Sequence, residues 1–184
     1  MTEIIIIGVV LFMALLLSNY SISRWHGNKQ KVTLGYTLLS LGISSLLLFT
    51  FGCTIETVKG IIFAFILLVA SYGDIKERMC NDYIHLMIAI TAFIGMELSE
   101  LPKMILSFIF VTILMVISFR ISNKRIGGAD VKLCMASSLV LGLTNCLSGM
   151  ALGLALAIIC NARKKEGFPL IPYLATGFMV AYFI

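Results

Sequence analysis

Charge is scarce in this sequence. Asp, Glu, Lys and Arg make up 12% of it, where an ordinary soluble domain carries about 25%. With 60% hydrophobic residues and a mean hydropathy of +1.04, a sizeable soluble domain is excluded. Histidine is nearly absent. His26 and His85 lie in different segments, so neither a metal cluster nor a Ser-His-Asp triad is supported, and no cofactor is implied. The cysteines, Cys53, Cys80, Cys134, Cys146 and Cys160, form no C-x-x-C pair, which leaves a zinc or thioredoxin-type site unsupported. Cysteines scattered through apolar helices are usually small buried hydrophobes. Cys53 and Cys146 both fall near one face, and a disulfide between them stays open. No basic residue precedes the first apolar run, so it does not read as a signal peptide. It reads as an uncleaved first span with its N-terminus outside.

Apolar runs of membrane-spanning length recur from end to end. The expected class is therefore all-α: a polytopic integral membrane helix bundle, with residues 1–184 as a single membrane-embedded domain. Spans are expected at about Ile4–Ile22, Val32–Thr54, Gly60–Gly73, Tyr83–Met96 and Met104–Phe119. The uncharged stretch between Lys132 and Arg163 is too long for one upright helix. A break at Gly142–Asn145 makes it two short spans, and Pro169–Ile184 completes about eight. The pI near 9.0 invites nucleic acid, but the basic residues sit in short loops, where they set topology and touch anionic lipid. No nucleic-acid partner is expected. With the N-terminus outside, all 14 basic residues except Lys59 and Lys103 fall on the inner side, a strong positive-inside bias.

That topology puts two acids at the cytoplasmic face. Gly60–Gly73 ends directly in Asp74, at or slightly inside the membrane boundary. Asp130 follows Gly127, Gly128 and Ala129, between the basic stretch Arg120–Arg125 and a long apolar run. An acid at the edge of a span is costly and points to function, and small residues before it permit close backbone approach. The alternative is that Asp130 is the N-cap of the next helix. Two carboxylates at one depth can share a proton. One then takes a proton from water while the other donates to a carbonyl, the arrangement of aspartic proteases. Lys132 either tunes Asp130 or snorkels to the interface; Asp82 either joins the site or caps a helix. Pro169 and Pro172 shape the start of a helix more readily than they touch substrate.

Three segments together resemble the type IV prepilin peptidases, bacterial intramembrane aspartic proteases related to archaeal preflagellin peptidases. Gly127-Gly-Ala-Asp130-Val-Lys-Leu resembles the family's G-x-G-D-hydrophobic-K signature. Asp74-Ile-Lys-Glu-Arg-Met-Cys-Asn-Asp82 resembles its first aspartate motif, and Phe168-Pro-Leu-Ile-Pro-Tyr-Leu-Ala-Thr-Gly177 its late P-F-G-P segment. Ala129 stands where the signature has glycine, Asn81 where the first motif has proline, and Leu170-Ile171 where the late segment has Phe-Gly. Larger members carry a cysteine-rich cytoplasmic loop after the first span and also N-methylate their product. Here that loop is only Arg24–Lys31, without cysteine, so the chain resembles a short form and methyltransferase activity is not expected. The resemblance implies Asp74 and Asp130 as the catalytic pair. It implies as substrate a prepilin or pseudopilin with a basic leader ahead of a hydrophobic helix. Glu77, Asp82 and Glu166 are the candidate counter-charges for that leader. Two other classes compete: a small proton- or cation-coupled transporter, and a noncatalytic subunit of a pilus or secretion assembly. Oligomeric state is not legible.

Overall fold

The computed structural model describes residues 8, 30–122, 127–162 and 167–184. The expected first span at Ile4–Ile22, the loop residues Arg24–Lys29, and Lys124, Arg125, Arg163–Lys165 and Glu166 lie outside the described residues, Gly8 excepted. Among the described residues the chain is all-helical. In order come α1 (Gln30–Phe51), α2 (Ile55–Glu77), α3 (Asp82–Thr91), α4 (Leu101–Ile121), α5 (Gly128–Asn161) and α6 (Ile171–Tyr182). Three stretches are long and apolar enough to cross a membrane: α2, α5, and α4 together with the short turn before it. The Gly35–Phe51 part of α1, α3 and α6 are shorter apolar stretches; α3, with 10 residues, rises only about 15 Å.

The helix carrying Asp74 departs from expectation. Gly60–Gly73 is not a short span ending in the acid but the interior of the 23-residue α2. Thr54 caps its start by accepting from the Thr57 N–H, so Glu56 and Lys59, expected in a loop, form its first turns. At the far end the chain continues to Glu77, where Arg78 turns left-handed (φ 52°) and donates its N–H to the Asp74 carbonyl at 3.1 Å. Asp74 thus sits inside the last turn, on rigid helix rather than on a loop. The expected break in the long apolar stretch is present at its first residue. Gly142 has φ 73° and ψ −179°, a conformation open to glycine and strained for other residues. Helix resumes after it, so Gly128–Asn161 is two helices joined at a sharp kink, as the two-span reading expects; the Cys146 thiol comes back to 3.7 Å from the Cys134 carbonyl.

The packing order places the site. α2 lies against α1, α3 and α6, and α5 lies against α3, α4 and α6. Two short helices, α3 and α6, therefore each bridge α2 to α5. The shared core includes Phe63 and Leu67 of α2, Ile84 and Ile88 of α3, Leu133 of α5 and Phe178 of α6. In lipid, apolar burial alone gives little drive for helices to associate, so close backbone approach and hydrogen bonds matter more. α5 and α6 approach through glycine: a Cβ on Gly177 would lie 2.6 Å from the Gly153 nitrogen and collide with the Gly149 carbonyl. On the other side of α5, the Ser107 hydroxyl donates to the Ser138 carbonyl at 3.1 Å, tying α4 on.

Candidate active site

Asp74 sits in the last turn of α2 and is only 9% exposed. It meets the start of α6 there. The Ile171 N–H donates to Asp74 Oδ2 at 3.0 Å, and the Leu170 N–H also donates to the carboxylate. The first N–H groups of a helix have no intrahelical acceptor, and α6 has no side-chain cap of its own. Asp74 supplies that cap from another helix. Proline has no N–H, so Pro169 and Pro172 leave the Leu170 and Ile171 amides between them as the donors presented here. Pro172 lies in the first turn of α6, in keeping with a role in shaping the helix start.

Asp130 lies at the start of α5. The N-cap of α5 is Gly127, in extended backbone, so the reading of Asp130 as the N-cap is corrected. Asp130 sits in the first turn, and its carboxylate reaches back to accept the Gly127 N–H, one half of a capping box. The contact is tight: a Cβ added to Gly127 would lie 2.7 Å from Asp130 Oδ2, whereas one on Gly128 would meet nothing within 4 Å. Ala129 packs against the core, and its carbonyl lies 3.1 Å from His85 Nε2.

The surrounding polar groups sort themselves differently from expectation. Lys132 does not turn toward Asp130; its ammonium pairs with Asp82 at 2.7 Å, with both side chains largely exposed. Asp82 is not a cap either, because Asn81 takes the N-cap position of α3. The pair instead links the start of α3 to the first turn of α5. Between these carboxylates lies Cys80. Its thiol is pushed up to about 11, first by burial and then by the charges of Asp74, Asp130 and Asp82. The three acids therefore converge on one small region at the ends of α2, α3 and α5, and Asp74 and Asp130 stand within electrostatic reach of each other. No group of three or more His, Cys, Asp or Glu side chains among the described residues is arranged to hold a metal ion. Cys146 is buried, with its thiol 3.7 Å from the Cys134 carbonyl, while Cys53 is exposed; both are unpaired.

The chain matches the family model of the type IV leader peptidase family over residues 61–183, more than half of its length. It belongs to that family. No curated protein and no solved structure matches it. The matched segment runs from α2 to the end of α6 and so contains both aspartates, both bridging helices and the proline-bracketed amides. Two contributors escaped the sequence. A backbone amide such as that of Ile171 leaves no side-chain signal except its flanking prolines. His85 showed only as a single histidine in an apolar stretch, too little to set it apart from a core residue.

An apolar groove of about 1020 Å³ opens between α1, α2 and α6. Tyr36, Leu39 and Ile43 line one wall and Ala175, Met179 and Val180 another. At one end it reaches Ser71, Ile75 and Pro172, the immediate neighbours of Asp74 and Ile171.

Proposed function

We propose that this type IV leader peptidase family member is an aspartic endopeptidase with Asp74 and Asp130 as its catalytic pair. It removes the short basic leader from type IV prepilins or pseudopilins at the cytoplasmic face of the bacterial inner membrane. The chain is read as one membrane-embedded domain that crosses the bilayer about eight times, N-terminus outside. The observation that carries this reading is the convergence of two acids, 56 positions apart in sequence, on one region within electrostatic reach. One carboxylate accepts a proton from water as the oxygen attacks the scissile carbonyl carbon, and the other, protonated, donates to the carbonyl oxygen. Collapse of the tetrahedral intermediate breaks the C–N bond: the leaving amine takes the proton held by the first carboxylate, and the second takes back a proton from a hydroxyl of the intermediate as the carbonyl re-forms. The helix starts beside each acid supply N–H donors that fix its orientation, the kind of preorganisation acid–base chemistry requires.

The groove supports a substrate with an apolar helix. Such a helix lies along α1, α2 and α6 and delivers the residue at its membrane-surface end to Asp74. Co-expression with a tagged prepilin tests the function, with loss of the leader read as a mobility shift. Wild type cleaves, and Asp74→Asn and Asp130→Asn do not. Asparagine is the right replacement because it keeps the oxygen that accepts the helix-start N–H groups while removing the acid. Cleavage by both variants contradicts the reading.

A further inference from the structure

We propose that His85 is a positioning residue that fixes the Asp130 turn through the Ala129 carbonyl. The inference rests on the aspartate reading above and extends it to a residue outside the motifs. His85 lies on α3, is 7% exposed, and contacts α5 across the bridging interface, with Nε2 3.1 Å from the Ala129 oxygen. A carbonyl only accepts, so Nε2 carries the proton and the ring is the Nε2–H tautomer. Nδ1 is buried and makes no well-formed hydrogen bond among the described residues, although the ring also lies close to the Asp82 carbonyl on its own helix. The hydrogen bond that ties this buried ring to another helix therefore goes to the residue immediately before Asp130.

That bond has a defined mechanical setting. On α3, Asp82 and His85 are three residues apart and share a face; on α5, so do Ala129 and Lys132. Asp82 pairs with Lys132 and His85 with Ala129, two rungs that run antiparallel between the helices. The outer rung is exposed and screened by solvent. The inner one is part-buried, with His85 itself buried, and a hydrogen bond there is directional and costly to leave unmade. Ala129 lies between Gly127, whose N–H holds the Asp130 carboxylate, and Asp130 itself. A pull on its carbonyl therefore sets the tilt of the whole first turn of α5. Without it the carboxylate remains present but is no longer held at the distance the reaction needs.

The test separates the hydrogen bond from the bulk of the ring. Glutamine places its amide nitrogen near the position of Nε2, asparagine reaches only as far as Nδ1, and leucine fills space without donating. Full-length protein in membranes is assayed on a tagged prepilin whose leader is basic and ends in glycine, below the unfolding temperature of each variant. His85→Gln is expected to keep kcat within about threefold of wild type, while His85→Asn and His85→Leu lose about 10- to 100-fold in kcat with KM unchanged, the scale of a misplaced reacting group. Equal rates for all three, losses confined to KM, or losses that track lowered melting temperature alone overturn the proposal. With Asp130→Asn inactive and His85→Leu as fast as wild type, only the His85 proposal falls. Cleavage surviving Asp130→Asn contradicts the aspartate reading instead. A second readout needs no substrate. The chain has two histidines, so the nitrogen-15 spectrum of histidine-labelled protein holds two rings, and His85→Gln assigns one. At neutral pH that ring should show Nε2 protonated and Nδ1 bare; the reverse tautomer overturns the proposal regardless of any cleavage result.

Discussion

Gly127 and Gly128 are adjacent and have opposite requirements. A methyl on Gly127 meets Asp130 Oδ2 at 2.7 Å, while one on Gly128 meets nothing within 4 Å. Gly127→Ala should therefore leave folding nearly intact, because the carboxylate can swing aside, and lower the cleavage rate about 10- to 100-fold. Gly128→Ala should cleave normally and be more stable by about 0.4–1 kcal/mol, through a less flexible unfolded chain. Rates and thermal melts of the two variants check this pair. Cys80 offers an independent reading of the acids. Its thiol titrates near 11 because burial and then Asp74, Asp130 and Asp82 disfavour the thiolate. In a chain whose other cysteines are alanine, the midpoint of Cys80 alkylation against pH should fall when Asp74→Asn and Asp130→Asn are combined. It should stay above the ordinary thiol value, since burial is the largest cause. An unchanged midpoint would mean the acids do not face Cys80. At this scale both aspartates stood out in the sequence, because each adjoins an apolar run. The cap assignments were not: an acid at the N-cap and one a turn further on present the same sequence pattern, and backbone geometry decides between them.

At the scale of the helix, α6 acts as a lever on Asp74. Its first amides hold the carboxylate, at Ile171 with 3.0 Å, and its middle rests on α5 through Gly177. Gly177→Ala forces a methyl into the backbone of Gly149 and Gly153, an overpacking that typically costs about 1–3 kcal/mol. The displaced helix withdraws the Ile171 N–H, so the variant should lose both melting temperature and cleavage. The same substitution at Gly42, where a Cβ meets nothing within 4 Å and which does not line the groove, should do neither. Sequence located most helices but misjudged the limits of α2. Glu56 and Lys59 looked like loop residues because charge is rare here, yet Thr54 starts the helix before them. The division of α5 into two helices was legible because the uncharged run is too long for one upright helix and Gly142 offers the break; how sharply the chain turns there depends on backbone angles no composition reveals.

For the whole molecule, the all-helical class and the apolar character followed from composition, but the order of packing did not. Phe49, Leu106 and Ile158 are exposed while Phe63, Leu67 and Ile88 are buried, and hydropathy does not distinguish a lipid-facing leucine from a core one. Only the structure reveals that α3 and α6 bridge α2 to α5 and leave an apolar groove leading to Asp74. A photo-reactive residue placed in that groove at Thr176 should cross-link to the apolar helix of a prepilin, and the same residue at Ile113, exposed on α4, should not. The central claim is that Asp74 and Asp130 act as one unit. Its most direct test is a cleavage-rate cycle comparing wild type, Asp74→Asn, Asp130→Asn and the double variant, with each protein confirmed as folded. Residues that act as a unit are strongly non-additive, so the account predicts that either single change removes nearly all activity and the double variant is no slower. Losses that multiply in the double variant, or full activity in either single one, would contradict it.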